Sequence, residues 1–395
     1  MSKLRPFLWL LFLLLILIAT AKLIPTPDEK GDIYNPKIEV TLQSISPQDS
    51  LSLEIDGRYQ VLDGETREVI LQREQFRGSI TCDFTGPKLG PYLTNRSHVV
   101  IKAQGDRAIR LNYFTYSGEL SIKAFFNSHR TPTKLEFSLT LDLEDYVLGV
   151  VCGELPSQSP GIQSALEAQA ISARTYALWK LSLGKSLRDD SRDQVFQGTD
   201  YITKEAKEAV ANTRGEVLTF NEAIFPTYFH RNCGGQCAQA IKTGFYQEDI
   251  PPLKGSKEPE CSNIYERWTK EVKADSLDKL AQEFNLGTYL KAMHTIQKDD
   301  NGRRNKIRLQ GDESHYDVHG EFVRARLGVP SMIWHSIMMQ PDGAMTVTGS
   351  GYGHGIGLCQ EGAMRRARNG LTKTDILSHY YPDGKVVTLS SDLMP

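Results

Sequence analysis

LEDYVLGVVCGELPSQSPGIQSALEAQAISARTYAL, running from Leu143 to Leu178, reads as two amphipathic helices with one acidic side chain, Glu154, in the turn between them. Leu143, Tyr146, Val147, Val150 and Val151 recur at i, i+3, i+4, i+7 and i+8, the period of a helix that buries one face. Asp142 stands where an N-cap is expected, and Gly153 and Pro156 end the helix. The second helix takes Ser159 as its cap and Pro160 at its first position, where a missing N–H is no loss. Ile162, Leu166, Ala170, Ala173, Ala177 and Leu181 then face the core. Gln169, Ser172 and Tyr176 form a separate polar stripe, expected to line a cleft beside Glu154.

An isolated Glu-Leu-Pro is most simply a solvated turn, since glutamate is usually exposed. Here the acid lies between Val-Val and Leu-Pro at the mouth of a helix pair. Partial removal from water favours the protonated form of a carboxyl and suits it to proton transfer. Glu154 is therefore assigned as the catalytic acid/base.

The chain has 395 residues, with Lys+Arg 46 against Asp+Glu 48 and 40% hydrophobic content, enough to bury a core in one large or two ordinary domains. That balance offers no basic excess for nucleic acid and no charged tail, and it suits a neutral or sugar-like substrate. Lys3 and Arg5 precede an apolar run from Phe7 to Ala19, and Ala19-Thr20-Ala21 resembles a cleavage site. Residues 1–21 are thus read as an export signal, either cleaved or kept as a membrane anchor. The apolar run is short against the ~20 residues that span a bilayer. Residues 22–36 read as a tether, and everything beyond the signal is expected outside the cytoplasm, at the cell envelope.

From 37 to 115 the chain alternates apolar and polar residues in short runs such as KIEVTLQSI, LSLEI and HVVIKAQ, broken by Gly, Pro, Asn and Asp. This is a mostly antiparallel β-rich region without a catalytic cluster. Residues 116–385 mix both element types, so the fold class is α+β. Helices are expected over Ile202–Thr213, Ser276–Asn285 and Glu321–Gly328, with a polar turn between strands at Lys298–Asn305. Gly370 should stop a helix that follows the glycine-rich loop, and Thr372 with Asp375 should cap the last one.

Two further constellations carry chemistry. Gly349, Gly351, Gly353, Gly355 and Gly357 surround His354 in a loop whose backbone can approach a ligand closely, or which is simply a tight turn. Its spacing is not that of a dinucleotide fingerprint. His230, Cys233 and Cys237, with Cys261 downstream, are residue types that bind zinc tetrahedrally. A disulfide among these cysteines, or a histidine that only hydrogen-bonds in the core, explains the same residues in an exported protein. Gly-x-Ser-x-Gly, HExxH and P-loop motifs are absent from the sequence.

In order along the chain, YSGELSI, LEDYVLGVVCGELP, LEAQAISARTYAL, DQVFQGTDYIT, GEVLTF, the CGG of HRNCGGQC, FVRARLGVPS, GYGHGIGLCQEGA and ILSHYYP resemble the SpoIID/LytB family of peptidoglycan-acting proteins, from about Tyr116 to Pro382. The resemblance implies a lytic transglycosylase that cleaves the bond between N-acetylmuramic acid and N-acetylglucosamine in glycan strands stripped of stem peptides. Its catalytic glutamate falls on Glu154, and it points to Gln169, Arg174, Tyr176, His354 and Gln360 as substrate-binding residues. One carboxyl suffices because the muramic 6-hydroxyl attacks within its own sugar, leaving a 1,6-anhydro end, whereas most glycosidases need two. A different reading, from relatives described as amidase enhancers, is a non-catalytic wall-binding module that assists a cell-wall amidase.

This chain departs from the family by carrying Cys152 where alanine is common, Cys359 where serine is common, and Leu155 for methionine. The motifs that the resemblance brings together include both cysteines, which are either a disulfide or two buried thiols. No organic cofactor or nucleotide is implied.

Overall fold

The computed structural model describes residues 33–45, 51–105, 108–244, 249–262 and 267–389. The export signal at 1–21 and the tether as far as residue 32 lie outside them. The observed fold is α+β, as the element pattern implies. No helix among the described residues is long and apolar enough to cross a membrane.

Two compact units emerge among the described residues, one comprising those up to Ser159 with Ala173–Pro226 and 386–389, the other Pro160–Ser172 with those of Thr227–Lys385. The division expected at 115/116 differs from this, because strands on either side of it share one sheet. His98–Ala103 pairs antiparallel with Glu119–Phe126, Leu120 facing Ile101. Alternation along a strand reveals which residues face inward, but it does not name the strand's partner.

In the first unit a seven-stranded sheet runs in the order Leu187–Arg188, Lys37–Thr41, Pro132–Asp142, Glu119–Phe126, His98–Ala103, Tyr59–Asp63, Val69–Arg73. Its registers line up Val40, Leu139, Leu120, Ile101 and Val61 in one row across the sheet, each 0% exposed. A six-stranded sheet from Leu51 to Tyr116 completes the β-rich part.

The helix Leu143–Glu154 buries the whole stripe read from the sequence, Leu143, Tyr146, Val147, Val150 and Val151. Its cap is not the expected one. Asp142 makes no capping bond and instead pairs with Lys37 at 3.0 Å. Asn35 does the capping, its Oδ1 accepting the Glu144 N–H at 3.0 Å. The register that sets Lys37 opposite Asp142 carries Asn35 to the helix end. The following helix, Gln163–Ser182, also begins later than its Ser159-Pro160 signal, because Gly161 takes a left-handed φ of 71° and keeps that signal in a turn.

The second unit holds two three-stranded sheets, Trp268–Val272 with Met345–Ser350 and Ile333–Met339, and Leu290–Lys298 with Arg304–Gly311 and His315–His319. Leu277, Leu280, Leu309, Val323 and Val347 are among the residues of its core. Lys298–Asn305 forms the turn expected between strands, and Thr372 with Asp375 forms a complete capping box. A short parallel pair, Phe229–His230 with Leu358–Cys359, sets His230 opposite Cys359.

Candidate functional site

Glu154 is the last residue of its helix and is half-buried. Its Oε1 accepts the backbone N–H of Val195 at 2.8 Å. Two glycines make that contact possible. A Cβ on Gly153 would stand 2.6 Å from the Val195 carbonyl oxygen, and one on Gly149 would run into the Phe196 ring. Gly149 and Gly153, four residues apart on one helix face, therefore admit the DQVFQG segment against the helix. Phe196 packs in turn on Tyr146, ring centroids 5.3 Å apart.

The same segment is anchored from its other end by Asp193, whose side chain is 1% exposed. It accepts hydrogen bonds from the Tyr176 hydroxyl at 2.9 Å and the Arg188 N–H at 3.0 Å, and it pairs with Lys180. Gly153→Ala should therefore cost about 1–3 kcal/mol through overpacking and reduce any Glu154-dependent turnover. Chemical denaturation and an activity assay check this; wild-type values in both would mean that the Val195 contact does not depend on Gly153.

Three side chains expected at a substrate surface lie inside the fold. Arg174 is fully buried, with Nε 2.8 Å and Nη2 2.7 Å from the two oxygens of Glu144 and Nη1 donating to the Glu216 carbonyl at 3.0 Å. It is a framework residue that joins the two helices to the strand Glu216–Phe220. Tyr176, 7% exposed, serves Asp193. The expected open stripe is instead interior, because the helix is covered along that face too: Ser172 is 0% exposed and bonds to the Ala168 carbonyl.

Gln169 differs from these. It is 0% exposed, and neither end of its amide has a hydrogen-bond partner among the described residues. Burying unpaired amide groups costs about 1–3 kcal/mol each, so such a group persists where it serves a ligand or an ordered water. Gln169→Met, of similar shape, is expected to stabilise the fold by about 1–3 kcal/mol while weakening function. Denaturant unfolding checks it, and a destabilised variant would mean that the amide is satisfied in solution.

In the second unit the parallel pair carries His230 and Cys359, and a ligand atom from each of His230, Cys233 and Cys359 lies within 4.8 Å of the others. The Cys261 sulfur is 3.7 Å from that of Cys359. Cys237 is beside Cys233, and the hydrogen bonds of Cys233 to Cys237 and Cys261 push its thiol up. Of the sequence-based set of His230, Cys233, Cys237 and Cys261, His230 and Cys233 lie in the close triplet that Cys359 completes, and Cys237 and Cys261 lie outside it. The signal was a cysteine at an unusual position, which the sequence leaves as either a partner of Cys152 or a buried thiol. All six cysteines are free thiols. Cys152 and Cys359 are therefore not bridged to each other.

His230 Nδ1 lies 3.1 Å from the Ile356 carbonyl and donates to it in the neutral tautomer. Its Nε2 is buried with no hydrogen-bond partner among the described residues. Burial, with a smaller effect from Arg303, holds the imidazole down at about 3, so it is neutral with a lone pair available. The Cys233 N–H points at the Cys359 sulfur at 3.4 Å, but burial and then the Cys233 side chain push that thiol well up, so it is a neutral thiol when no cation is bound. An orphaned imidazole nitrogen among thiols is a donor set suited to a soft or borderline cation.

His354 is half-buried in the glycine-rich loop, its Nδ1 accepting the Ile356 N–H at 3.0 Å. Burial, then the charges of its neighbours, holds it well below the usual histidine range and therefore neutral. Its ring centroid is 5.6 Å from that of His230. Gln360, 4% exposed, opens the helix Gln360–Arg368.

Residues 132–220, which contain Glu154, match the SpoIID family model, described as stage II sporulation protein. The chain is 30% identical over 264 residues to stage II sporulation protein D of Bacillus subtilis, a match covering 61% of this chain and 73% of that protein. It is 28% identical over 250 residues to an uncharacterized protein of Brachyspira hyodysenteriae, covering 61% of this chain and 65% of that one. A protein of Bacillus subtilis named amidase enhancer is 26% identical over 286 residues, which is 58% of this chain and 39% of that protein.

Proposed function

The chain belongs to the SpoIID family of stage II sporulation proteins, and from that membership we propose that it cleaves peptidoglycan glycan strands as a lytic transglycosylase, with Glu154 as the acid/base. The observation that carries this reading is the setting of Glu154: a half-buried carboxyl at a helix end, one oxygen held by the Val195 N–H at 2.8 Å. A group that must give up a proton and take one back at the same place needs such fixed geometry.

In the proposed reaction Glu154 protonates the glycosidic oxygen as its bond to C1 of the muramic sugar breaks. The Val195 N–H then stabilises the carboxylate left behind. The muramic 6-hydroxyl bonds to C1 and returns its proton to Glu154. No water is consumed, the products are a free 4-hydroxyl and a 1,6-anhydro end, and no second carboxylate is required. His354, Gln360 and Gln169 are proposed to bind the strand.

The thiol and imidazole cluster is proposed to hold zinc through His230, Cys233 and Cys359, with Cys261 as the fourth donor. The orphaned Nε2 of His230 supports this choice. The ion would supply a structural cross-link between the segments that carry these residues. This substrate would put the chain beyond the signal outside the cytoplasm, at the cell envelope, and denuded strands imply an amidase that acts beforehand.

The test is incubation of purified protein with denuded glycan strands, followed by mass spectrometry. Anhydro-muramic ends are expected. Intact strands from a folded, metal-loaded protein would overturn the reading, and stimulation of an amidase by that same preparation would favour a non-catalytic enhancer instead.

A further inference from the structure

The hairpin of Leu290–Lys298 and Arg304–Gly311 turns through Asp299 to Arg303. Asp299 shapes that turn, its Oδ1 accepting the N–H groups of Asn301 at 3.0 Å and Arg303 at 2.8 Å. Two side chains are thereby aimed at the cluster segment. Asn301 Nδ2 donates to the carbonyls of Cys233 at 3.3 Å and Gly234 at 3.2 Å. Arg303 Nη2 donates to the same Cys233 carbonyl at 3.1 Å. On its other side the guanidinium lies against Gly355, where any Cβ would collide with it.

Arg303 therefore touches both chain segments that present the cluster: the one with His230 and Cys233, and the glycine-rich loop that leads to Cys359. It is also a charge in an expensive place. The residue is 2% exposed, its nearest carboxylate oxygen, on Asp299, is 3.8 Å from Nε, and Nε has no hydrogen-bond partner among the described residues. A guanidinium cannot shed its charge by deprotonation, and the carboxylates that face this one are those of Asp299 and the buried Glu321.

We propose that Arg303 is the positioning residue of the metal cluster: it locks the Cys233 main chain against the glycine-rich loop and so fixes the spacing of the donors that the two segments carry. The role rests on the zinc reading above. Groups behind metal ligands orient the donors and tune their basicity, and their loss commonly weakens metal binding by about 10–100-fold.

The test uses the full chain and measures zinc affinity by competition with a chromophoric chelator, alongside the thiolate-to-cobalt absorption of the Co²⁺-substituted protein. Arg303→Met should weaken zinc binding by about 10–100-fold and alter the cobalt spectrum. Arg303→Lys, which keeps the charge but not the fork, should recover part of the affinity. Should Arg303→Met fail to fold, Asn301→Ala removes the neighbouring tether and should weaken zinc about tenfold with an unchanged circular dichroism spectrum. Wild-type affinity and spectrum in the folded variants would overturn the role of Arg303 alone. A wild-type protein that takes up neither ion would overturn the zinc reading, and this inference with it.

Discussion

Glu154→Gln should leave the protein folded and reduce release of anhydro ends by at least roughly 10²–10⁴-fold, the range associated with losing a general acid/base. The substitution isolates the proton. Glutamine keeps the size of the side chain, and its carbonyl oxygen can still accept the Val195 N–H that glutamate accepts at 2.8 Å. The DQVFQG segment should therefore stay on the helix, still anchored through Asp193 by Tyr176 and the Arg188 N–H. What disappears is the capacity to give a proton to the leaving oxygen and take one from the 6-hydroxyl. Thermal unfolding near the wild-type midpoint, with glycan binding retained and turnover lost, is the expected pattern. Near-normal turnover by the folded variant would remove Glu154 from the mechanism.

The second large effect should follow from stripping metal with a strong chelator. Protein as purified should carry about one equivalent of zinc, and ligand-free protein should melt at lower temperature. An ion present at 100 times its dissociation constant stabilises the folded state by about 2.7 kcal/mol, and at 1,000 times by about 4.1 kcal/mol. Cys359→Ser is the discriminating variant. Serine keeps the size of the side chain and replaces the soft sulfur that lies 3.7 Å from Cys261 and within 4.8 Å of the His230 and Cys233 donors. It should reproduce most of the chelator effect, whereas Cys82→Ser, far along the chain in a strand of the six-stranded sheet, should not. A metal-free protein indifferent to chelator would return the cluster to the status of four buried thiols and a buried histidine.

The features legible in the sequence are those written into spacings of a few residues. Tyr146, Val147, Val150 and Val151 announce a buried helix face by their period, and all four are buried. Thr372 and Asp375 announce a capping box, and the polar run at Lys298–Asn305 announces the turn that the flanking strands make. Glu154 could be singled out for the same reason, because Gly153 and Pro156 place the end of the helix beside it. Gly149 and Gly153 are equally local, but the partner they admit is not.

Tertiary structure alone decided which distant groups meet. Asn35 displaced Asp142 as the cap through a strand register set 105 positions apart in the chain. Arg174, which the family resemblance offers as a substrate-binding residue, has its unit closed around it, and Glu144 takes the guanidinium. His230 found Cys359 through a parallel pairing of two residues on each side, too short to leave a pattern in either segment. The physical reason is the same throughout. Period and turn chemistry depend on neighbours in the chain, whereas long-range pairing is one choice among many strands of similar alternation, made by the packing of the whole core.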